Sequence, residues 1–205
     1  MKSMKRVFLV VAILISIVLV AQYVSKESFP KQTVQTSNCP PEGDSPKEKF
    51  QELDKLKNRT EKKSYIDENI DVNSFLCSCP DQKKFSNTMY VTVTGYMVGL
   101  KYGGAETCEC HSKEKTDEDF HIEIAVNAGE TDKSKMVVCE MTRETRSILF
   151  ADLKKYIGHK VKIEGYLFFD EEHWQNSVNT NPTGTDLWRA TAWEVHPVFS
   201  VVVID

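Results

Sequence analysis

A chain of 205 residues with 26 Lys/Arg, 30 Asp/Glu and a formal net charge of −4 has room for one ordinary domain after an export segment and a spacer are subtracted. Its charge is uneven, because residues 88–205 carry twelve Lys/Arg against nineteen Asp/Glu. A domain that grips nucleic-acid backbone through its own charge needs clustered basic residues, so that partner class is disfavoured.

The first element is apolar. Val7–Ala21 contains Ser16 as its one polar residue and follows Lys2, Lys5 and Arg6. Spanning a bilayer takes about 17–25 apolar residues, so this length suits a signal-peptide core as well as a membrane helix. Cleavage after Ala21 would put Leu19 where a small residue is wanted, which favours an uncleaved anchor over residues 1–24. The flanking charges place the N-terminus inside and the rest of the chain outside. The expectation is a periplasmic or otherwise extracytoplasmic domain with the membrane as the partner of its first segment, or a secreted one if that segment is cleaved.

Residues 25–87 read as a linker with a short helix and a Cys-containing segment. Ser25–Asp44 is rich in Gln, Thr, Ser and Pro, the composition of a solvated spacer. Ser45-Pro46-Lys47-Glu48 has capping-box spacing, and Phe50, Leu53 and Leu56 follow at helical intervals. Asn58-Arg59-Thr60 matches a glycosylation sequon and is read as a chance match at a polar helix end.

Residues 88–205 alternate in the manner of strands. Met89–Val98 gives the first, with Gly95 and Gly99 as expected bends; Phe120, Ile122, Ile124 and Val126 give the second; Lys135–Met141 gives the third. Helical spacing through Ile148, Leu149, Leu153 and Tyr156 then predicts a helix over Thr142–Tyr156, stopped by Gly158. Val161–Asp170 and Arg189–Val203 supply strands four and five. The predicted fold is mainly β, and the order β-β-β-α-β-β resembles the OB-fold, a five-stranded barrel that binds oligonucleotides, oligosaccharides and other ligands. The close Trp193-Glu194-Val195-His196-Pro197-Val198, with Phe168–His173 upstream, also resembles a group of uncharacterised bacterial exported proteins ending in Glu-x-His-Pro-Val, which implies no activity.

Strand parity turns this pattern into a site. If Phe120, Ile122 and Ile124 fill the barrel, His121 and Glu123 point outward; with Trp193 and Val195 inward, Glu194 and His196 point outward on the same side. Glu140 on the third strand falls between these pairs, and Asp170 and His173 sit in the loop after strand four. Imidazole and carboxylate together suit Zn, Mn or Fe, so His121, Glu123, Asp170, His173, Glu194 and His196 form the candidate metal set. The bland alternative is a solvated face with cross-strand charge pairs. Trp174 and Trp188 border a polar loop and, with Glu140, are the candidates for contacting a ligand; their bland role is to pin that loop.

Six cysteines are present. Cys77-Ser78-Cys79 and Cys108-Glu109-Cys110 each put two sulfurs on one side of an extended segment, so the pairs are expected to bridge each other as disulfides, with an S₄ metal site as the lesser alternative. A thiol redox role ranks below both. No HExxH, P-loop, GxSxG or GxGxxG occurs, which removes the usual protease, nucleotide and hydrolase templates. The leading functional reading is a membrane-tethered binding domain whose His/carboxylate surface holds a divalent metal or a small ligand. The alternatives are a metal-dependent phosphoester hydrolase, by analogy with the micrococcal-nuclease type of OB-fold, and a structural envelope protein with an envelope partner.

Overall fold

In a computed structural model, residues 39–77 and 79–205 are described. The anchor expected over residues 1–24 lies outside the described residues. Among those described, no helix is long and apolar enough to cross a membrane.

Six strands form one sheet: β1 (Glu68–Asp71), β2 (Tyr90–Tyr102), β3 (Phe120–Ala125), β4 (Val137–Met141), β5 (Lys160–Phe169) and β6 (Trp193–Val203). Five of them close a barrel in the order β2-β3-β4-β6-β5, with β5 returning to β2. Closure depends on the length of β2. Its first half pairs with β5, from Tyr90↔Tyr166 to Tyr96↔Lys160, and its second half pairs with β3, from Tyr96↔Ala125 to Tyr102↔Phe120. A register shift between Met97 and Gly99 bends the strand between these partners, whereas Gly95 keeps the regular register that was expected to break there. β4 and β6 meet in parallel at Cys139↔Val195.

β1 is the extra strand, parallel to the start of β2, and it falls in the segment read as linker. Ile70, Val72 and Phe75, on β1 and the 3₁₀ turn Val72–Phe75 after it, are buried in the core with Val93, Ile122, Ile124, Ile163, Leu167, Trp193 and Val195. Fully burying a Val, Leu, Ile or Phe side chain contributes about 1.5–3 kcal/mol. A four-residue strand is too short to show period 2 in sequence.

The first helix covers its apolar pattern, and the second is shorter than its own. α1 runs over Glu48–Lys57, but Lys47 is its N-cap and Ser45 accepts only a 3.4 Å hydrogen bond from the Lys47 amide, so the expected capping box does not form. The helix expected over Thr142–Tyr156 is corrected to α2, Phe150–Leu153, followed by a 3₁₀ turn at Lys154–Tyr156. Its expected first part is instead a turn in which the Thr142 carbonyl accepts from the Arg146 amide at 3.0 Å, and Leu149, counted as apolar stripe, is exposed.

The cysteine pairing also differs from expectation. Cys39 bonds Cys110 with a Cα–Cα distance of 5.6 Å, Cys77 bonds Cys79, and Cys108 and Cys139 are buried thiols. No bridge joins the two Cys-x-Cys pairs, and the S₄ site is not assembled. The parity argument required extended backbone, whereas Thr107–Glu109 is a 3₁₀ turn and Cys110 follows it at φ 52°. Asn58, in the sequon, uses its side-chain amide to cap the Pro41 and Cys108 carbonyls at 3.0 and 2.8 Å.

Candidate functional site

β3, β4 and β6 send one set of side chains into the core and the alternate set to the other side. Ile122 and Ile124, Cys139 and Met141, and Trp193 and Val195 face inward, so His121 and Glu123, Glu140, and Glu194 and His196 share the outer side. His121 is directly opposite Glu140 in the β3–β4 register. The parity expected from sequence is therefore present, but a solvent-facing surface is not. His196 is 0 % exposed, Glu194 2 %, His121 5 % and Glu140 6 %. α1 packs against β6, bringing Lys57 into the site and Arg59 to its rim, where Arg59 donates to the His196 carbonyl at 3.2 Å.

The side chains form a continuous polar chain. His121 Nδ1 lies 3.1 Å from Glu140 Oε1, and the other Glu140 oxygen lies 3.3 Å from His196 Nδ1. His196 Nδ1 is also 3.1 Å from Glu194 Oε1, and Arg189 Nη2 donates to Glu194 Oε2 at 2.9 Å. Arg189 Nη1 reaches Asp170 Oδ2 at 2.6 Å, and the same oxygen is 2.7 Å from His173 Nδ1. Six of the sequence-derived residues are thus joined in one network, with Glu123 at its edge, 3.8 Å from His121 Nε2. Trp188 covers the network, its ring 5.2 Å from that of His173 and 6.4 Å from that of His121. Trp174 does not join it; 43 % of Trp174 is exposed and its carbonyl accepts from Thr180.

Sequence reasoning missed four members. Asp119 precedes β3 with the parity of His121, and its Oδ2 lies 3.3 Å from His196 Nε2. That contact falls outside hydrogen-bond geometry, so Nε2 is buried against Asp119 with no completed hydrogen bond. Glu109, on the turn before Cys110, has both carboxyl oxygens buried without hydrogen-bond partners and faces Asp119. Lys57 ends α1, is 4 % exposed and donates to Glu106 at 2.8 Å. Arg189, expected to share the inward parity of strand five, precedes β6 and belongs to the acid network. Only Asp119 carried a signal in sequence, its two-residue spacing from His121.

The electrostatics follow from burial and crowding. Burial alone would lower the His196 imidazole, but the contacts to Asp119 and Glu194 and the charge of Glu140 raise it to about 10. Burial raises Glu140 and Asp170, yet both stay below the usual carboxylate range, Glu140 because of His121 and His196 and Asp170 because of His173, Arg189 and Lys57. Glu194 goes up, first through burial and then through Glu140 and Asp170. Burial and Asp119 push the Glu109 carboxyl up to about 10. Asp119, Glu140 and Glu194 therefore converge on the His196 imidazole, and Glu109, its carboxyl raised by burial and by Asp119, lies beside Asp119. Asp119, Glu140 and His196 each offer a ligand atom, all within 4.8 Å of one another.

Residues 77–169 match the family model for a domain of unknown function, DUF6359. The matched span takes in Asp119, His121 and Glu140 and stops before Asp170, Arg189, Glu194 and His196, so the network straddles its boundary and the Glu-x-His-Pro-Val close lies beyond it. No curated protein and no solved structure matches the chain.

Proposed function

We propose that this chain is an exported binding domain on an OB-type barrel and that it holds one divalent cation through Asp119, Glu140 and His196. The barrel order β2-β3-β4-β6-β5, with α2 between β4 and β5, supports the OB-type reading. One observation carries the cation: His196 is wholly buried, its Nε2 completes no hydrogen bond, and it faces Asp119. Ligation would satisfy that nitrogen, with the cation taking the place of the proton that Asp119, Glu194 and Glu140 favour on the ring. Two carboxylates and an imidazole suit Zn²⁺, Mn²⁺ or Fe²⁺.

Burial favours holding over hydrolysis. A hydrolytic metal keeps an open coordination position that substrate can reach, whereas the ligand side chains here are 0–8 % exposed. The arginines that would steady a phosphoester are also engaged: Arg189 with Asp170 and Glu194, Arg143 with Asp117 and Glu144, and Arg146 with the Glu118 carbonyl.

Elemental analysis of the full chain purified without chelator tests the reading, alongside thermal midpoints in EDTA and with each added divalent ion. One equivalent of metal per chain is expected, together with a stabilisation of about 2.7 kcal/mol when free metal exceeds its dissociation constant a hundredfold. Glu140→Gln should lose both. A chain that carries no metal and shows no shift with any divalent ion overturns the cation site and leaves the network as an ionic lock.

A further inference from the structure

The two disulfides of this protein cannot have the same purpose. Cys39–Cys110 joins residues 71 apart in sequence, whereas Cys77–Cys79 joins residues two apart. A cross-link stabilises chiefly by closing a loop in the unfolded chain, and a loop holding one residue has little freedom to lose. Cys77–Cys79 is therefore a poor staple. It is also accessible: Cys79 is exposed and Cys77 half-buried, while both free thiols, Cys108 and Cys139, are buried.

The surroundings of this disulfide are built for more than passive exposure. Cys77 lines an open groove of about 320 Å³ with Leu76, Val178, Ala190, Ser134 and Lys135. The flanks of the disulfide are clamped from beneath. Asn179 Nδ2 donates to the Phe75 carbonyl and to Asp81 Oδ2, both at 2.7 Å. Buried Asp81 also accepts from Thr191 Oγ1 at 2.7 Å, and its carbonyl accepts from Trp193 Nε1 at 2.8 Å. Chain on both sides of the pair is thus tied to the barrel.

We propose that Cys77–Cys79 is a thiol–disulfide exchange site for cysteine thiols on extended polypeptide seated in this groove. A polypeptide thiolate attacks the exposed Cys79 sulfur, a sulfur–sulfur bond forms between them, and the Cys77–Cys79 bond breaks with its electron pair going to Cys77. Cys77 leaves as a thiolate in a groove that Lys135 also lines, with its exposed ammonium 3.3 Å from Asp132 Oδ2, and a cation close by favours the thiolate form. A second thiolate on the same polypeptide then attacks the mixed disulfide and releases Cys79. In net terms a polypeptide dithiol is oxidised to its disulfide while Cys77 and Cys79 are reduced, so each protein molecule completes one exchange. The apolar wall of Leu76, Val178 and Ala190 fits flanking side chains of the polypeptide, which a small thiol lacks.

The test mixes the oxidised full chain with one equivalent of a reduced two-cysteine peptide with apolar flanks, or with the matching amount of reduced glutathione. Acid quenching, alkylation and peptide mapping then follow each disulfide separately. The expected result is reduction of Cys77–Cys79 by the peptide about 10-fold faster than by glutathione at equal thiolate concentration, with Cys39–Cys110 still oxidised. Lys135→Ala should slow the step by a factor of about 3 without moving the thermal midpoint. The double variant Cys77→Ser/Cys79→Ser should lose exchange and keep the midpoint of the parent. Equal rates with peptide and glutathione, an inert Cys77–Cys79 bond, or a double-variant midpoint that falls as far as that of Cys110→Ser would each overturn the proposal. The metal content of the chain does not enter any of these readouts.

Discussion

Arg189 donates from Nη2 to Glu194 Oε2 at 2.9 Å, with 1 % of one side chain and 2 % of the other exposed. The pair is thus shielded from water on both sides, and the other arm of the guanidinium neutralises Asp170. Removing one member of such a set leaves buried carboxylates without a counter-charge. Arg189→Met should destabilise the chain by about 3–5 kcal/mol in urea denaturation, because the methionine fills space but pairs with neither acid. Lys101→Ala, whose partner Glu123 is 3.9 Å away and whose side chain is half exposed, should stay within about 0.5 kcal/mol of the parent. Comparable losses from the two variants would show that the Arg189 network is not the stabilising element described here.

A second prediction concerns the seam between β5 and β6. A Cβ at Gly165 would lie 2.4 Å from the Pro197 carbonyl oxygen and 2.5 Å from Val195 Cγ1, where the register shifts on both sides of Gly165. The nearest obstructing atom is backbone, so the strands must part to admit a methyl group. Gly165→Ala should cost about 1–3 kcal/mol. Gly129→Ala has nothing within 4 Å and should be neutral or gain up to about 1 kcal/mol from the stiffer unfolded chain. Equal stability for the two variants would contradict the close approach.

The barrel strands were legible in sequence because each buries one face and so alternates, as Phe120, Ile122 and Ile124 do against His121 and Glu123. The same alternation placed His121, Glu194 and His196 on one side. Their burial was not legible, since it depends on α1 and on loops far away in the chain lying over that side. Lys57 illustrates the difficulty: it is the last residue of a polar helix, where solvent is the default reading, and it is 4 % exposed. Arg189 was misread for a different reason. Period-2 counting was carried upstream of Trp193, where β6 starts, through residues that are not in a strand. The cysteine pairing failed on the backbone itself, because Thr107–Glu109 is a 3₁₀ turn and Cys110 has a positive φ, so Cys108 and Cys110 are not alternate positions of an extended segment.

The third prediction follows from the disulfides observed. Peptide mapping under non-reducing conditions should recover Cys39–Cys110 and Cys77–Cys79, with Cys108 and Cys139 as thiols. Burial pushes both free thiols above their ordinary range, so an alkylating agent should reach them only after denaturant is added. Cys110→Ser should lower stability by about 2–5 kcal/mol. Recovery of a peptide linking Cys77 or Cys79 to Cys108 or Cys110 would contradict the pairing.

The last prediction concerns pH, for the chain kept in chelator so that protons alone compensate the acid cluster. His196 is lowered by burial but raised more by Asp119, Glu194 and Glu140, and sits at about 10 against an ordinary 6.5. Glu109 also sits at about 10, through burial and Asp119, against an ordinary 4.5. Both folded values lie above the unfolded ones. Each group therefore contributes stability that is complete below its unfolded pKa and is lost as pH rises through its folded pKa. Glu194, raised in the same way, adds to this slope. Asp170 and Glu140 act at the other end: they are held below their ordinary values, so their contribution is present above about pH 4 and is lost as pH falls. Unfolding free energy measured in urea with EDTA should be greatest near pH 5 and decline steadily toward pH 9. Glu109→Gln removes one of the two groups responsible and should flatten the decline, whereas Glu68→Gln, exposed on β1, should leave it unchanged. Stability that instead rises between pH 5 and pH 9 would mean that the cluster does not retain protons and that His196 is not the cation its neighbours require.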